Sequence, residues 1–508
     1  MAIKRYFADA DTSITNAYKP NLTERGVSGN MGQSDILEVF SIYAQESTSS
    51  SELERILIKF PVTGSTSKYM SYDREQSNIP ESGSVSFYLR MFNARHSQTT
   101  PKNFDLIVSA VSSSRTTAWD EGTGLDMENY SDEYPANWTS AVASSSADGG
   151  AWTAEGGDFY TDTSSSFTAS FDSGFEDINL DITPLVEQWI NSSGNVLGSK
   201  SNHGLLIKLD SAQEDAETSY YTKKFFARGS QYFFKRPYIE ARWDSSKKDD
   251  RGNFYYSSSL APAEDNLNTI YLYNYVRGQL KNIPAIGTGS IFVSIFSGSS
   301  DNTEPSASKL ALSAGGGVVT SGHTNITGAY VSTGIYSASF AFTGSTSLTR
   351  IFDVWHKDHV EYFTSSIDPK SLTQVWSGNS MNPNQQFVSK ITNLKSSYST
   401  QNTSARFRLY TRKKDWSPSI YSVASQDAPI DLVEDSYYKV SRVNDDCEVI
   451  SYGTGSDNNT RLCFDTSGSY FDLDMSLLEA DNTYSIKFVF YLNGQYVEQE
   501  EEFKFRVD

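Results

Sequence analysis

Histidine side chains are the residues from which acid–base or metal chemistry could be built, and the chain has only five of them. His356 and His359 form the closest pair, in the segment WHKDHV. Zinc binding needs imidazole nitrogens that converge on one ion, but residues three apart on a strand project to opposite faces of the sheet. A Gly-x-Ser-x-Gly turn ahead of a helix, which would expose a serine nucleophile, is missing from the sequence. We therefore expect solvated histidines, no catalytic residues and no enzymatic activity.

A stretch rich in aromatic and acidic residues, from Thr116 to Phe171, is a second place where chemistry could occur. Aromatic rings beside carboxylates suit carbohydrate binding, and carboxylate oxygens are the ligands that Ca²⁺ prefers, so Ca²⁺ binding stays open while no other cofactor is expected. A glycosidase would need two carboxylates facing each other across about 5 to 9.5 Å, which a sequence does not reveal. A solvated loop with buried tryptophans explains the same residues. The candidate glycan-binding residues are Trp119, Tyr130, Tyr134 and Trp138, and the neighbouring carboxylates are those of Asp120, Glu121, Asp126, Glu128, Asp132 and Glu133.

The two cysteines, Cys447 and Cys463, are too few for a disulfide scaffold and fit folding in a reducing compartment. If CEVISYG and TRLCF form a hairpin centred near Gly455, the two cysteines lie opposite each other. A cross-strand disulfide can then form if they occupy a non-hydrogen-bonded pair. Reduced, buried thiols satisfy the same pattern, so both states stay open.

The composition of the 508-residue chain points to sheets rather than helices. Aromatic residues make up 13% and charged residues 20%, a balance that favours pleated sheets. The net charge of −20 would repel phosphate backbones and anionic lipid headgroups, so neither nucleic acid nor a membrane is expected as a partner. The N-terminal segment MAIKRYFADADTSI has no apolar run behind its basic residues, so we expect neither a secretory signal nor a membrane anchor, and synthesis in a host cytoplasm.

Alternating apolar residues predict strands along the whole chain. In SVSFYLRMF every second residue is apolar, which predicts a half-buried strand, whereas RILIKF is apolar on both faces and predicts a strand in the middle of a sandwich. One short helix is expected where TPLVEQWI follows NLDI, with Thr183 as its N-cap and Pro184 at its first position. Asn493 and Gly494, between two alternating runs, predict a tight hairpin.

Breaks in this pattern divide the chain into three β domains. Residues 1–245 are expected to form a jelly-roll-like sandwich, and the polar segment 246–265 indicates a linker. Residues 266–365 suit an Ig-like β domain, and residues 366–508 a C-terminal β-sandwich. The expected fold class is therefore all-β, with an N-terminal jelly-roll-like sandwich followed by two smaller Ig-like β-sandwich domains.

Short segments recur in a characteristic order in the first half of the chain. They are ADTSI, SGNMGQSDILEV, RILIKF, SVSFYLRMF, AWDEG, NLDITPLVEQWI, NHGLLIKL and RPYIEARW. This order resembles the DNRLRE-type β-sandwich domain, a jelly-roll-like module related to carbohydrate-binding modules and found in cell-surface and phage proteins. The string that names the family is replaced here by FFARGSQYFFKRP, which implies an outlying member. In the second half, GIYSASFAFTGSTSLTRIFDVW resembles small Ig-like domains of bacteriophage virion proteins.

These resemblances imply a structural component of a tailed-bacteriophage virion, on the outside of the head, neck or tail, that acts by protein–protein adhesion as a decoration, collar or fibre-attachment protein. The expected location is the virion, and the expected partners are other virion proteins and further copies of the chain in a symmetric assembly. The alternative is a carbohydrate-binding surface or adhesion protein in which Trp119, Tyr130 and Trp138 stack on the rings of a host glycan. Fold alone does not decide between the two, because such sandwiches serve both roles.

Overall fold

The structure is a computed structural model of the chain. The residues it describes are 2–45, 50–95, 100–112, 119–126, 132, 135–142, 150–259, 261–262, 264–297, 309–310, 312–314, 325–342, 348, 350–358, 360–370, 386–420 and 430–508. Strands dominate these residues, and the prediction of an all-β protein of the sandwich type is confirmed.

The N-terminal sandwich consists of two sheets packed face to face. Its strands are β1 (Ile3–Phe7), β2 (Ala10–Thr15), β3 (Ile36–Gln45), β4 (Ser50–Lys59), β5 (Ser86–Met91), β6 (Phe104–Ala110), β7 (Ser166–Phe171), β8 (Ile178–Asp181), β9 (Leu205–Leu209), β10 (Tyr220–Phe226) and β11 (Tyr238–Arg242). The first sheet has four strands in the order β1-β11-β5-β8. The second has seven, in the order β10-β3-β4-β9-β6-β7, with β2 also paired to β4.

Two of these strands show how the residue pattern determines the packing. In β5, Phe87, Leu89 and Met91 are fully buried between the sheets, so the alternate residues Tyr88 and Arg90 lie on the outer face of the four-stranded sheet. In β4, the run Ile56–Ile58 is fully buried on both faces, because a second, smaller core covers the outer face of the seven-stranded sheet. Both strand predictions are confirmed.

Three short helices accompany the strands of this sandwich. They are α1 (Met70–Glu75), α2 (Thr183–Ile190) and α3 (Ser211–Glu214). Helix α2 is the predicted one, and it inserts Leu185, Val186 and Trp189 into the main core. The Thr183 hydroxyl does not cap it as expected, because it accepts a hydrogen bond from the Phe87 amide at 2.7 Å and so fastens the helix to β5.

The middle sandwich consists of one seven-stranded sheet and a short two-stranded one, and it has a hydrophobic core of its own. Its strands are β12 (Asn268–Tyr273), β13 (Tyr275–Val276), β14 (Gln279–Leu280), β15 (Ile291–Ser297), β16 (Leu312–Ala314), β17 (Ile326–Ser332), β18 (Ile335–Phe342), β19 (Ile351–Lys357) and β20 (Val360–Ile367). The order is β12-β18-β17-β15-β19-β20, with β16 on β18 and β13 paired to β14 alone. Trp355 and Tyr336 are fully buried in the core. The last strand ends at Ile367, beyond the predicted boundary at residue 365.

The segment 246–265, predicted to be a linker, is instead largely packed against folded units. Phe254 is completely buried and Tyr256 is 4% exposed, and both belong to the core of the middle sandwich. Ahead of them, Lys248 forms a parallel bridge with Phe464 of the C-terminal sandwich. The prediction of a linker was based on the polar composition of the segment and gave no weight to these two aromatic residues. We refer to residues 246–256 as the connecting segment.

The C-terminal sandwich again has two facing sheets. Its strands are β21 (Phe387–Ile391), β22 (Ser397–Tyr398), β23 (Ala405–Lys413), β24 (Ser436–Arg442), β25 (Cys447–Ile450), β26 (Cys463–Asp465), β27 (Gly468–Leu473), β28 (Asn482–Leu492), β29 (Gln495–Glu498) and β30 (Phe503–Val507). One sheet has the order β21-β23-β27-β26, and the other has the order β22-β30-β28-β24-β25, with β29 on β28. The predicted hairpin is confirmed, because Asn493 and Gly494 connect β28 to β29 with positive φ angles of 49° and 82°.

The cysteines do not form the expected cross-strand pair. Cys447 in β25 pairs with Arg442 of β24, whereas Cys463 in β26 pairs with Tyr470 of β27 in the other sheet. Both thiols are free. The hairpin on which a disulfide depended does not form, because each cysteine strand pairs with its other neighbour in the sequence and the segment around Gly455 is a loop between two sheets. Of the two cysteine states that the sequence left open, the structure has the free thiols.

Candidate functional site

The two tryptophans predicted to bind a glycan are buried rather than presented to solvent. Trp119 is 8% and Trp138 is 4% exposed, and both belong, with Trp152, to the small core on the outer face of the seven-stranded sheet. The Trp119 indole N–H donates a hydrogen bond to the His203 carbonyl at 2.9 Å. Most of both indoles is therefore buried, as expected for a loop with buried tryptophans, and only Trp119 also lines a cleft. Tyr130 and Tyr134, the other two candidates, lie outside the described residues.

A buried ion pair fastens this loop to the sheet. The Arg55 guanidinium lies 5.1 Å from the Trp138 ring and donates to the Gly156 carbonyl at 2.9 Å. It also binds both carboxylate oxygens of Glu214, at 2.9 and 2.7 Å. A bidentate pair of this kind fixes the geometry of the guanidinium, which in turn contacts Trp138 and Gly156 of the loop.

One carboxylate of the acidic stretch has a structural role. Glu121 receives two hydrogen bonds of 2.5 Å from the Arg228 guanidinium and one of 2.8 Å from the Asp11 amide. Asp11 accepts from the Arg228 amide at 2.6 Å and is 2% exposed. Burial raises the pKa of Asp11 to about 7, and the Glu121 carboxylate adds to the rise, against the opposing effects of the hydrogen bond and charge of Arg228. This cluster joins the acidic stretch to β2.

The other predicted site residues are dispersed. Asp120 is exposed, and Glu128 and Glu133 lie outside the described residues. His356 hydrogen-bonds to the Ser294 hydroxyl at 2.8 Å, and His359, the other histidine of the same segment, lies outside the described residues. Among the residues that the structure does describe, no three His, Cys, Asp or Glu side chains are grouped so that they could hold a metal ion.

A cleft of about 890 Å³ opens beside Trp119, and we call it the α2 cleft because Trp189 of α2 lines it. Tyr69 and His203 also line it, together with Asn202. The Trp189 side chain is 3% exposed, and its indole nitrogen is buried without a hydrogen-bond partner in the described part of the chain. An unsatisfied buried donor is costly and calls for an acceptor.

The N-terminal and C-terminal sandwiches share a buried junction. Ile3 of β1 and Phe234 are 2% and 8% exposed and belong to the core of the C-terminal sandwich. The Phe234 ring packs edge-on against Tyr484 at a centroid distance of 6.3 Å. Across the same junction, the Arg5 guanidinium donates to the Val449 carbonyl at 2.6 Å. Contacts this well buried favour one fixed arrangement of the two units.

The connecting segment fastens the middle sandwich in the same manner. Arg251 forms two hydrogen bonds with the Asp353 carboxylate, at 2.5 and 2.7 Å, and Asp353 is completely buried. The Asp249 amide donates to the Phe464 carbonyl of the C-terminal sandwich at 3.0 Å. Burial raises the pKa of Asp249 to about 6, against the charge of Arg251. One short segment therefore holds two sandwiches at once.

The hairpin β28–β29 presents an apolar surface to solvent. Tyr491, Tyr496 and Val497 are 41%, 50% and 43% exposed, and the two tyrosine rings lie 4.9 Å apart. All four residues of β29 are exposed. We call this surface the hairpin patch. Strand edges and exposed aromatic side chains are common features of protein–protein contact sites.

Sequence reasoning missed the groups at the unit junctions. The alternation in β5 indicated that Tyr88 and Arg90 face outward, but it carried no sign that another sandwich covers that face. Long-range pairing determines these contacts, and no local pattern reports it.

No helix in the described part of the chain is both long and apolar enough to cross a membrane.

No protein-family model and no curated protein sequence matches the chain. Solved structures that resemble it include an anomalous substructure of titin A168–A169 (7% identity, 53% of this chain and 98% of that one, TM-score 0.14). Others are Salmonella alpha-2-macroglobulin reacted with methylamine (7% identity, 99% and 26%, TM-score 0.14) and the BSP domain of a biofilm-associated protein (7% identity, 99% and 90%, TM-score 0.16). TM-scores this low carry no argument about function.

Proposed function

We propose that the chain is a structural component of a tailed-bacteriophage virion, located on the outside of the head, neck or tail, that acts by protein–protein adhesion and not as an enzyme. The observation that supports this role most directly is the way its sandwiches are joined. Phe234 and the Arg251–Asp353 pair bury side chains of one unit within another. A protein that bridges particle components needs such fixed geometry, because flexible joints would weaken simultaneous attachment at several points.

The hairpin patch supplies an attachment surface for this function. Exposed Tyr491, Tyr496 and Val497 can bury apolar area against another virion protein, and the free edge of β29 can pair with a partner strand. The net charge of −20 keeps the remaining surface from associating unspecifically. Repetition of the chain around a symmetric particle multiplies weak contacts into firm attachment.

Mass spectrometry of purified particles, with copy number, tests the proposed location. We expect the chain in intact particles, at a few copies if it belongs to the tail or neck and at hundreds if it decorates the capsid. Absence of the chain from particles that are complete and infectious contradicts the proposal.

A double variant, Tyr491→Ser with Tyr496→Ser, tests the attachment surface. Both residues are about half exposed, so the variant should fold normally but be incorporated into particles less than the wild type. The matched control is Tyr221→Ser, at an equally exposed tyrosine (52%) in the N-terminal sandwich, which should be incorporated normally. Equal incorporation of both variants contradicts adhesion through the hairpin patch.

A second candidate function, binding of a host glycan, is favoured by the buried, unpartnered indole N–H of Trp189 in the α2 cleft. A sugar hydroxyl could accept this hydrogen bond while Tyr69 packs against the ring. A glycan array with the wild type and the Trp189→Phe variant tests it, since Phe removes the donor and keeps an aromatic ring. Binding should fall about threefold to tenfold, the contribution of one hydrogen bond, whereas Trp152→Phe, away from the cleft, should leave it unchanged. If no glycan binds the wild type, this second function is rejected.

A further inference from the structure

A separate cleft of about 650 Å³ lies between the N-terminal and C-terminal sandwiches, and we call it the junction cleft. The outer face of the sheet β1-β11-β5-β8 forms one wall, and residues 447–459 form the other. Ser451, Gly455 and Ser456 are exposed at its rim. Its size falls within the range of small-molecule sites, about 300 to 1,000 Å³.

Two of the cationic side chains in the junction cleft bind a carboxylate of the protein itself. Arg5 and Arg242 each donate to Glu240 at 2.7 Å, one to each carboxylate oxygen. Burial alone would raise the pKa of Glu240, but the two guanidinium groups hold it below its ordinary value. Arg5 also reaches Val449 across the junction. Both guanidinium groups are therefore held by Glu240 and have a structural role in this part of the cleft.

Two further cationic side chains in the cleft, Arg90 and Lys235, have no such carboxylate partner among the described residues. Both lie over the same ring, with the Arg90 guanidinium 5.5 Å and the Lys235 ammonium 5.0 Å from the Phe92 centroid. The Arg90 Nε is buried and has no hydrogen-bond partner among the described residues. Within the same residues, neither side chain forms an ion pair with a carboxylate. A buried guanidinium nitrogen without an acceptor is costly, so the site is complete only when an acceptor enters.

The side chains that line the cleft indicate which kind of ligand could accept hydrogen bonds from Arg90 and Lys235. A guanidinium fork matches a carboxylate, which it can bind through two parallel hydrogen bonds, and the ammonium group adds a second charge. The volume far exceeds that of a simple inorganic anion, and the rings of Tyr88, Phe92 and Tyr452 line part of the remaining space. The carboxylates of Asp177, Glu448 and Asp457 also line it, and two of them already accept hydrogen bonds from the protein, Asp457 from the Ser86 hydroxyl and Asp177 from the Asn93 amide, both at 2.7 Å. Such rings pack against the apolar face of a sugar, while the rim hydroxyls of Ser451 and Ser456 can bond to its hydroxyl groups.

We infer that the junction cleft binds an acidic saccharide, whose carboxylate is held between Arg90 and Lys235. The ligand would contact both sandwiches, so its binding should stabilise the junction as well as fill the cleft. This inference goes beyond the proposed function and does not depend on it, since the site could be present whether or not the chain belongs to a virion.

Isothermal titration calorimetry of the full chain with sodium glucuronate, at constant ionic strength, tests the inference. Parallel titrations use glucose, which lacks the carboxylate, and inorganic phosphate, which lacks the ring. We expect saturable binding of glucuronate, at least about tenfold weaker binding of glucose and phosphate, and an increase in melting temperature with glucuronate only.

Variants at the two cations locate the site. Arg90→Gln and Lys235→Gln should each weaken glucuronate binding at least about tenfold. Their melting temperatures without ligand should stay close to that of the wild type, because neither side chain has a carboxylate partner to lose. The matched control is Lys309→Gln, in which the lysine also lies over a phenylalanine, 5.8 Å from the Phe296 centroid, but in the middle sandwich. It should bind glucuronate like the wild type.

Four outcomes overturn the inference. The first three are no saturable glucuronate binding by the wild type, unchanged binding in a folded Arg90→Gln variant, and binding of glucose as tight as that of glucuronate. Tight binding of phosphate without binding of glucuronate also overturns it, because the cleft would then be a simple anion site.

Discussion

At the scale of single residues, the clearest testable feature is the buried carboxyl group of Asp11. Its pKa in the folded chain is about 7, whereas that of an unfolded aspartate is about 3.9. Between these values the folded state holds a proton that the unfolded state has released, so the contribution of Asp11 to stability is greatest at acidic pH and falls as the pH rises towards 7.

The variant Asp11→Asn should therefore unfold at nearly the same temperature as the wild type at pH 4 and at a higher temperature at pH 8. The amide is neutral at both pH values and can still accept the hydrogen bond from Arg228. The gain at pH 8 should be about 1 kcal/mol or more, because each unit of pKa shift corresponds to about 1.4 kcal/mol. Asp172→Asn, at an exposed aspartate, serves as the control and should show no such difference. A variant that is less stable than the wild type at pH 8 contradicts the prediction.

Residues such as Asp11 also show where sequence reasoning ends. The composition of the acidic stretch indicates that it could carry chemistry, but it does not reveal that one of its carboxylates, Glu121, binds a guanidinium 107 positions away in the chain. Lys223 is similar, because it is completely buried and its ammonium donates to the Gly174 carbonyl at 2.8 Å. Burial lowers the pKa of Lys223 to about 8. A lysine beside a second lysine in a strand gives no local sign that one of them points into a core.

At the scale of elements, the hairpin β28–β29 offers a sharp test of backbone conformation. Gly494 has a φ of 82° and no neighbouring atom that a methyl group would meet. Gly494→Ala should therefore destabilise the chain by about 1 kcal/mol through backbone strain alone. Gly455→Ala is the matched control, since Gly455 also has open space around it but no positive φ. Denaturant unfolding of both variants measures the difference, and equal stabilities would argue against the turn type.

Local patterns predicted elements well where one face of the element is buried. The alternation in β5, the apolar run in β4 and the stripe of α2 were all correctly predicted, because the period of the apolar residues follows from the geometry of the element itself. The cysteine strands were misassigned because the sequence between Cys447 and Cys463 permits a hairpin without requiring one. In the structure, the Cys447 strand pairs with β24 and the Cys463 strand pairs with β27.

The Arg251–Asp353 pair of the connecting segment gives a second prediction at this scale. Asp353→Asn should destabilise the middle sandwich by about 3 kcal/mol, because it removes the carboxylate that receives two hydrogen bonds from the buried Arg251 guanidinium. Asp368→Asn removes the partner of Arg350 in the same sandwich, but that pair is largely exposed, so the loss of stability should be much smaller than for Asp353→Asn. Thermal unfolding compares the two variants. Equal, small losses would show that the connecting segment does not stabilise the unit.

At the scale of the whole molecule, breaks in the strand pattern predict three β units, but they carry no information about how such units are attached to one another. The predicted linker 246–265 was assigned from its polar residues, yet Phe254 and Tyr256 are enough to fix it in a core. Likewise, Phe234 lies in the segment FFARGSQYFFKRP, which differs from the string that names the family. Nothing in that segment indicates that Phe234 packs into another unit. These few aromatic residues join the units, and their partners are distant in the chain: Tyr484 lies 250 positions after Phe234, and Phe340 lies 86 positions after Phe254.

Phe234→Ala is the corresponding test of rigid attachment. Removing a ring that is 8% exposed and packed against Tyr484 should cost about 3 kcal/mol, and the loss falls on the junction rather than on either sandwich alone. Differential scanning calorimetry should therefore show the N-terminal and C-terminal units unfolding together in the wild type and at separate temperatures in the variant. Phe175→Ala, at a phenylalanine that is 55% exposed, should leave the wild-type profile unchanged. If Phe234→Ala keeps a single transition at the wild-type temperature, the units are not coupled through this contact, and the rigid bridge on which the proposed virion function depends is lost.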